Sequence, residues 1–471
     1  MKKTRVLSLL ICTFLLMTHV LMPAHAADSS VTSGCHSVDA VTPLSESKQL
    51  LDTSKAVILY ELNSDTMVYS WNPDGKIYPS SMVKLMTALI ALEEGDLSDT
   101  VTVTKSALSN LIPGSLCLKP VLQSGEQLTL EALLYAMMTA SANDASVVIA
   151  EHIAGSQEDF VQLMNEKAAE LGCEGTHYSN VHGLHDENTY TTARDLCRLL
   201  DFALEIEQFK TLFTAKEYTI PATNASEERN IVTSNHMMSK AETPKYFDER
   251  VTGGKTGSTD AAGRCLAVTA ESNGMELLGI VMGAVPTYAE EGLELKTYGS
   301  FEEMKVLLDF GCNGFAFRQI FYDDQVLSQY PVSGGENHVV TQPVAELSTV
   351  LPVEYDETLL TWTYDDAGTI TAPVKAGQHI TDVQVWYGNI CLAQTELVAM
   401  TDVAVYQQPT EAVDTVDQND NADLSAVFWI VGGILGVVLL FTLVVLIFRA
   451  VSAARLRERQ RKRRQQRRRN Y

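Results

Sequence analysis

Basic residues are scarce in this chain of 471 residues, where 35 Lys and Arg stand against 59 Asp and Glu for a formal charge of −24. Eleven of the bases lie beyond Phe448 and three more, Lys2, Lys3 and Arg5, at the other end, which leaves 21 against 58 acids between them. So little positive charge in the middle excludes a catalytic region held on nucleic acid or on an anionic surface by bulk charge. The eight cysteines include no C-x-x-C pair, which argues against a metal-thiolate site and against a small disulfide scaffold. H-E-x-x-H is absent as well, so His182 and His185 do not read as ligands of a zinc peptidase, and no metal or cofactor is expected. Apolar residues, in contrast, make up 46% of the chain. They recur with helix and strand periods through most of it, which excludes a disordered polyanion and supports two or three domains.

The two ends account for the charge asymmetry. Lys2, Lys3 and Arg5 precede an apolar run from Val6 to Met22, followed by Ala24-His25-Ala26, the layout of a secretory signal peptide over 1–26. Residues 424–448 carry no charge and are long enough to cross about 30 Å of hydrocarbon as a helix. Gly432 and Gly436 within them form a weak G-x-x-x-G dimerisation signal. The basic tail 449–471 follows directly, and the positive-inside rule places it in the cytoplasm with residues 27–423 outside. Setting Cys12 aside with the signal leaves seven cysteines, an odd number that requires a free or intermolecular thiol in an exported protein.

Between the ends the pattern changes twice. Residues 27–48 are polar and aperiodic, a linker. Ala56 to Glu61 and Met67 to Trp71 read as a hairpin about Asn63-Ser64-Asp65, and helical periods follow at Ser81–Glu93, Leu130–Thr139 and from Ser156-x-x-Asp159 to Leu171. Strands return at Cys265–Glu271 and Glu276–Val285 through Asn273-Gly274, and Ser300-Phe301-Glu302-Glu303 reads as a capping box opening a last helix. Strands at both ends of a helical middle predict an α+β domain over 49–315 whose sheet is closed by distant segments. From 316 to 407 short alternating runs such as Leu360, Trp362, Tyr364 and Val383, Val385, Tyr387, punctuated by Gly368, Gly377 and Gly388, predict an all-β domain. Residues 408–423 are an acidic spacer.

Three short motifs carry the chemistry: Ser81-x-x-Lys84 at the start of an apolar helix, Ser141-Ala142-Asn143 between two helices, and Lys255-Thr256-Gly257 just before a strand. This is the constellation known from penicillin-binding proteins and β-lactamases. Each motif alone is weak, since Ser45-x-x-Lys48 and Ser70-Trp71-Asn72 match the same patterns; the order and the separations of 60 and 114 residues make the combination specific. A serine hydroxyl needs an adjacent base near pH 7, and a lysine three residues on along a helix shares its face. Burial and a second cation, Lys255, would lower the pKa of Lys84 toward neutrality. A helix N-terminus at Ser81 aims backbone N–H groups at a developing oxyanion.

With these motifs the chain resembles the serine D-alanyl-D-alanine carboxypeptidases, the low-molecular-weight penicillin-binding proteins. The likeness extends over about residues 50–405 and includes Tyr78 to Ala88 (YPSSMVKLMTA), Asn180 to Leu184 (NVHGL), Tyr190 to Leu196 (YTTARDL), Gly254 to Gly263 (GKTGSTDAAG), and Ala372 to Gly377 (APVKAG) with Leu397 to Ala399 in the β-rich part. It implies a β-lactamase/transpeptidase-like catalytic domain, a small all-β domain and a membrane anchor, at the surface of a bacterial cell. It further implies that Ser81 attacks the carbonyl between the two terminal D-alanines of a peptidoglycan stem pentapeptide, that Ser141 relays protons, that Asn143 holds the substrate amide, that Lys255 and Thr256 beside Gly257 receive the terminal carboxylate, and that the N–H groups of Ser81 and Ser258 form the oxyanion hole. β-Lactam antibiotics are the implied covalent inhibitors.

Two positions depart from the family pattern. Ala142 stands where glycine is frequent, and Arg264 with Cys265 follows Gly263, where less charge is expected; Arg264 reads as a solvent-facing arginine at a strand start, with a carboxylate clamp as the alternative. Rival readings are a β-lactamase, disfavoured because no E-x-x-L-N segment supplies a deacylating carboxylate, an endopeptidase using the same residues on peptide crosslinks, and a non-catalytic wall-binding or antibiotic-sensing protein.

Overall fold

The computed structural model describes residues 49–109, 111, 115–241, 243–288 and 295–408. The expected signal peptide (1–26), linker (27–48), membrane span (424–448) and basic tail (449–471) lie outside the described residues, as does the acidic spacer apart from Gln408. Among the described residues no helix is long and apolar enough to cross a membrane.

Ala56-Val57-Ile58-Leu59-Tyr60 is an unbroken apolar run, and a strand buries all of it only when covered on both faces. Five strands, β1 (Ala56–Glu61), β2 (Thr66–Trp71), β3 (Val251–Thr259), β4 (Gly263–Ser272) and β5 (Met275–Ala284), form an antiparallel sheet in the order β2-β1-β5-β4-β3. The expected closure by distant segments is present, with Ala56 opposite Met282. Because side chains alternate along β1, Ile58 and Tyr60 enter one core and Val57 and Leu59 the other. The β4–β5 turn is the predicted Asn273-Gly274, both with positive φ (52° and 80°), the type that matches strand twist.

Among the described residues six helices of eight residues or more cover one face: α1 (Val83–Glu94), α2 (Leu130–Thr139), α3 (Asn143–Ala154), α4 (Gln157–Glu170), α5 (Ala193–Leu204) and α6 (Glu207–Thr214). In α1 every residue from Val83 to Ala91 is buried, as befits a helix apolar all round, and each fully buried Leu or Ile there contributes about 1.5–3 kcal/mol. The predicted cap of α4 forms, Ser156 Oγ accepting from Asp159 N at 3.0 Å. A seventh helix, α7 (Ser300–Gly314), covers the other face with Met304, Leu307 and Leu308. Its cap differs from the expectation. Gly299, at φ 77°, is the N-cap, and its N–H donates to Glu302 Oε2 at 2.9 Å. Ser300 is instead the first helical residue, and Glu303 turns away to accept from Thr53 N and Thr53 Oγ1, both at 2.7 Å.

Strand Phe315–Phe321 pairs with Leu347–Pro352, and Phe315 and Val350 share a core with α7. Beyond it lies a second five-stranded sheet in the order Ser328–Tyr330, Val339–Pro343, Ile390–Ala399, His379–Tyr387, Leu360–Tyr364. Val383, Val385 and Leu397 fill its core with Phe321 and Leu347. Cys391 is disulfide-bonded, whereas Cys117, Cys173, Cys197, Cys265 and Cys312 are free thiols.

Candidate active site

The nucleophile segment is a sharp turn. Ser80–Met82 form one turn of 3-10 helix after Pro79, ahead of α1, and Ser80 has φ 53°. This turn is held by the segment Asn180-Val181-His182-Gly183. Asn180 Oδ1 accepts from Gly183 N at 2.6 Å and His182 N at 3.3 Å, and Thr87 Oγ1 of α1 donates to Val181 O at 2.8 Å. Gly183 (φ 83°) lies so close that a Cβ on it would fall 1.9 Å from Ser80 O. Gly183→Ala is therefore expected to cost about 3 kcal/mol, the overpacking penalty plus that of a positive φ, read as a lowered urea midpoint; an unchanged midpoint would show that the contact is loose.

Ser81 and Lys84 meet as predicted, Oγ to Nζ 3.1 Å. Lys84 is fully buried, and its Nζ also reaches Asn143 Oδ1 at 2.7 Å and His182 O at 2.5 Å. Those two oxygens can only accept. A neutral amine has two N–H donors, so both are used on the two carbonyl oxygens and the lone pair is left for the Ser81 hydroxyl. Burial first, and then the charge of Lys255, hold Lys84 well below the ordinary lysine range. His182 is likewise driven down to about 4 by burial and by Lys84, and its Nδ1 accepts from Leu184 N at 3.1 Å. It is a neutral structural ring, and the part it offers Lys84 is its backbone oxygen. His185 packs edge-on against Tyr78, ring centroids 4.7 Å apart.

The second motif opens α3. Ser141 (φ 58°) turns the chain, and Asn143 is the first helical residue, its N–H on Leu116 O at 2.8 Å. Asp144, next along, is fully buried and accepts from Leu118 N and Leu122 N, each at 3.1 Å; burial raises its pKa. These bonds fix the chain leading to Leu116, which lines the site.

The third motif lies within β3, not before a strand as expected; the glycines of Val251 to Thr259 (VTGGKTGST) hide the strand from a propensity reading. They are needed for close approach. A Cβ on Gly254 would fall 2.5 Å from Asn235 Nδ2, and one on Gly257 would lie 3.3 Å from Pro79 O and Ser80 Oγ, so β3 runs against the nucleophile turn. Lys255 Nζ reaches Ser141 Oγ at 2.8 Å and Thr256 O at 3.1 Å, and burial lowers its pKa to about 7. Thr256 Oγ1 shares a 2.6 Å hydrogen bond with Ser234 Oγ, a partner that no sequence pattern disclosed.

The three motifs thus converge on one cavity of about 310 Å³, whose lining includes Ser81, Ser141, Asn143, Thr256, Gly257 and Ser258. Arg264 is in its wall too, half-buried, with Nη1 donating to Ser258 Oγ. The solvent-facing reading of Arg264 is corrected: it stands directly opposite Ser258 in the β3–β4 ladder, so the two side chains share the cavity face. The decoy Ser70-Trp71-Asn72 takes no part in the cavity lining, with Ser70 buried in β2, and 45–48 lie outside the described residues.

A profile of the D-alanyl-D-alanine carboxypeptidase family, peptidase S11, matches residues 44–286, more than half of the chain. The chain belongs to this family. It is 28% identical over 370 residues to the D-alanyl-D-alanine carboxypeptidase DacF of Bacillus subtilis, with 75% of this chain and 87% of that protein covered. To the D-alanyl-D-alanine carboxypeptidase DacC of Escherichia coli it is 29% identical over 366 residues, with 74% and 84% covered. Penicillin binding protein 5 from Haemophilus influenzae superposes with a TM-score of 0.60 at 28% identity, over 77% of this carboxypeptidase-family chain and 99% of that structure. A peptidoglycan synthesis regulatory factor from Streptococcus pneumoniae has the same fold, with a TM-score of 0.60 at 23% identity over 74% and 99%.

Proposed function

We propose that Ser81 is the nucleophile of a D-alanyl-D-alanine carboxypeptidase that removes the terminal D-alanine from peptidoglycan stem peptides and that β-lactams acylate. The enzyme class follows from family membership. One observation carries the assignment of roles: the fully buried Lys84 amine, its donors used by Asn143 Oδ1 and His182 O, stands 3.1 Å from Ser81 Oγ. In acylation the Ser81 hydroxyl proton passes to Lys84 Nζ as Oγ bonds to the carbonyl carbon between the two D-alanines. The carbonyl oxygen becomes an oxyanion facing the N–H groups of Ser81 and Ser258. Its collapse breaks the C–N bond, and the proton reaches the leaving nitrogen by way of Ser141, which Lys255 orients at 2.8 Å. Asn143 holds the substrate amide, Lys255 and Thr256 flank the leaving residue, and Gly257 lets the strand lie against the nucleophile turn. Water then attacks the acyl-enzyme, with the proton taken up again by Lys84, and Ser81 is regenerated. Incubation with a stem pentapeptide tests this: one equivalent of free D-alanine per tetrapeptide is expected, whereas cleavage of crosslinked dimers without D-alanine release would point to an endopeptidase.

Because the amine must be unprotonated to act, acylation falls on acidification through the depressed pKa of Lys84, by roughly tenfold per pH unit well below it. A rate of penicillin acylation that shows no fall on acidification anywhere in the range where the protein stays folded would contradict this.

The anchoring is also a proposal, supported by the sequence: export by residues 1–26, a catalytic domain (49–315) and β-rich domain (316–407) outside a bacterial cell, one membrane span (424–448) and a cytoplasmic tail. The β-rich domain, with no nucleophile–base pair in its sequence, serves as a pedestal that sets the distance of Ser81 from the membrane. Protease added to intact cells is expected to digest the Ser81 domain and to spare an epitope placed after Arg469; loss of that epitope would reverse the orientation.

A further inference from the structure

Among the described residues, no Asp or Glu lines the cavity over Ser81. The two buried lysines of the motifs are poor permanent counter-charges, because burial draws Lys84 well down and Lys255 to about 7. Arg264 is different in kind. A guanidinium keeps its charge at every accessible pH and presents a planar fork that fits a carboxylate in two places. It makes no ion pair with a carboxylate among the described residues, its one hydrogen bond there goes to the neutral Ser258 Oγ, and its Cζ lies 5.6 Å from the centroid of the Tyr298 ring, which also lines the cavity. A guanidinium backed by an aromatic ring and a serine, facing a cavity with no Asp or Glu among its described lining residues, is held ready for an anion from outside.

We propose that Arg264 is the charged receptor for the C-terminal carboxylate of the residue that leaves, acting with the hydroxyl pair of Thr256 and Ser234. The proposal rests on the carboxypeptidase reading above. It makes Arg264 a specificity-determining residue: it selects substrates that end in a free carboxylate, and so favours trimming of chain ends over cleavage within a crosslink, where that carboxylate is an amide. The stem peptide carries other carboxylates, and a minimal substrate separates the sources.

The test compares the full chain with Arg264→Gln and Arg264→Lys on two peptides, an N-acyl-D-Ala-D-Ala whose only carboxylate is the terminal one, and its C-terminal carboxamide. Arg264→Gln is expected to lower kcat/KM on the free acid by about 10- to 100-fold, mainly through KM, as loss of a charged hydrogen-bonded pair does, and on the carboxamide by less than about threefold. Arg264→Lys, which keeps the charge and loses the fork, is expected to restore part of the loss on the acid. Equal losses on both peptides would overturn the proposal, since they would mark Arg264 as structural support for Ser258. So would an unchanged rate on the minimal acid with a loss confined to the full stem pentapeptide, which would assign Arg264 to an internal carboxylate. Stoichiometric labelling by saturating penicillin reports a folded site in each variant, and a wild-type chain that takes the label but releases no D-alanine from either peptide or the pentapeptide would instead overturn the carboxypeptidase reading.

Discussion

Ser81→Ala is expected to abolish both penicillin labelling and D-alanine release, a loss of about 10⁴-fold or more, because no other group can form the acyl-enzyme. Ser80→Ala and Ser45→Ala are expected to leave labelling intact. The contrast with Ser80 is informative because the two serines are adjacent in one turn. Ser80 is buried and its hydroxyl makes no hydrogen bond among the described residues, whereas Ser81 is partly exposed to the cavity and lies 3.1 Å from the amine. Labelling measured by gel fluorescence separates them, and a Ser81→Ala protein that still takes the label would move the nucleophile elsewhere.

Lys84→Met keeps the volume of the side chain and removes the base. Acylation by penicillin is expected to slow by about 10³-fold, within the range of general-base catalysis, and the acidic limb of the pH profile is expected to disappear with it. Two acceptors, Asn143 Oδ1 and His182 O, lose their donor in this variant, so thermal melting should accompany the kinetics. A folded Lys84→Met protein acylating at the wild-type rate would show that another group takes the Ser81 proton.

Much of this site was legible in the sequence, for identifiable reasons. S-x-x-K and S-x-N each put a reactive side chain at a chain direction change, K-T-G puts one on a strand, and their order is carried by the linear sequence. The pairing of Ser81 with Lys84 follows from helix geometry, and the lowering of Lys84 by burial and by Lys255 follows from its position in an apolar helix. The hairpin at Asn273-Gly274 and the cap at Ser156 were readable because turn and cap chemistry is local. What was not legible is contributed by backbone or by tertiary contact. His182 supports Lys84 through a carbonyl oxygen, which every residue has, and Asp144 looks like any first-turn acid until its loop partners are known. The β3 strand was hidden because its glycines serve close approach to Pro79 and Ser80 at the expense of strand propensity. Arg264 was misread because its orientation depends on the register that sets it opposite Ser258, and Gly299 displaced Ser300 as a helix cap because the entering chain needs a positive φ there.

The central claim, that one cavity assembled from the three motifs carries out acyl transfer on Ser81, is tested most directly by mass spectrometric mapping of the penicillin adduct on the full chain. The account predicts a single penicilloyl group on the peptide containing Ser81, localised to that residue by fragmentation. An adduct on Ser80, on Ser141 or on any residue outside the cavity would contradict it.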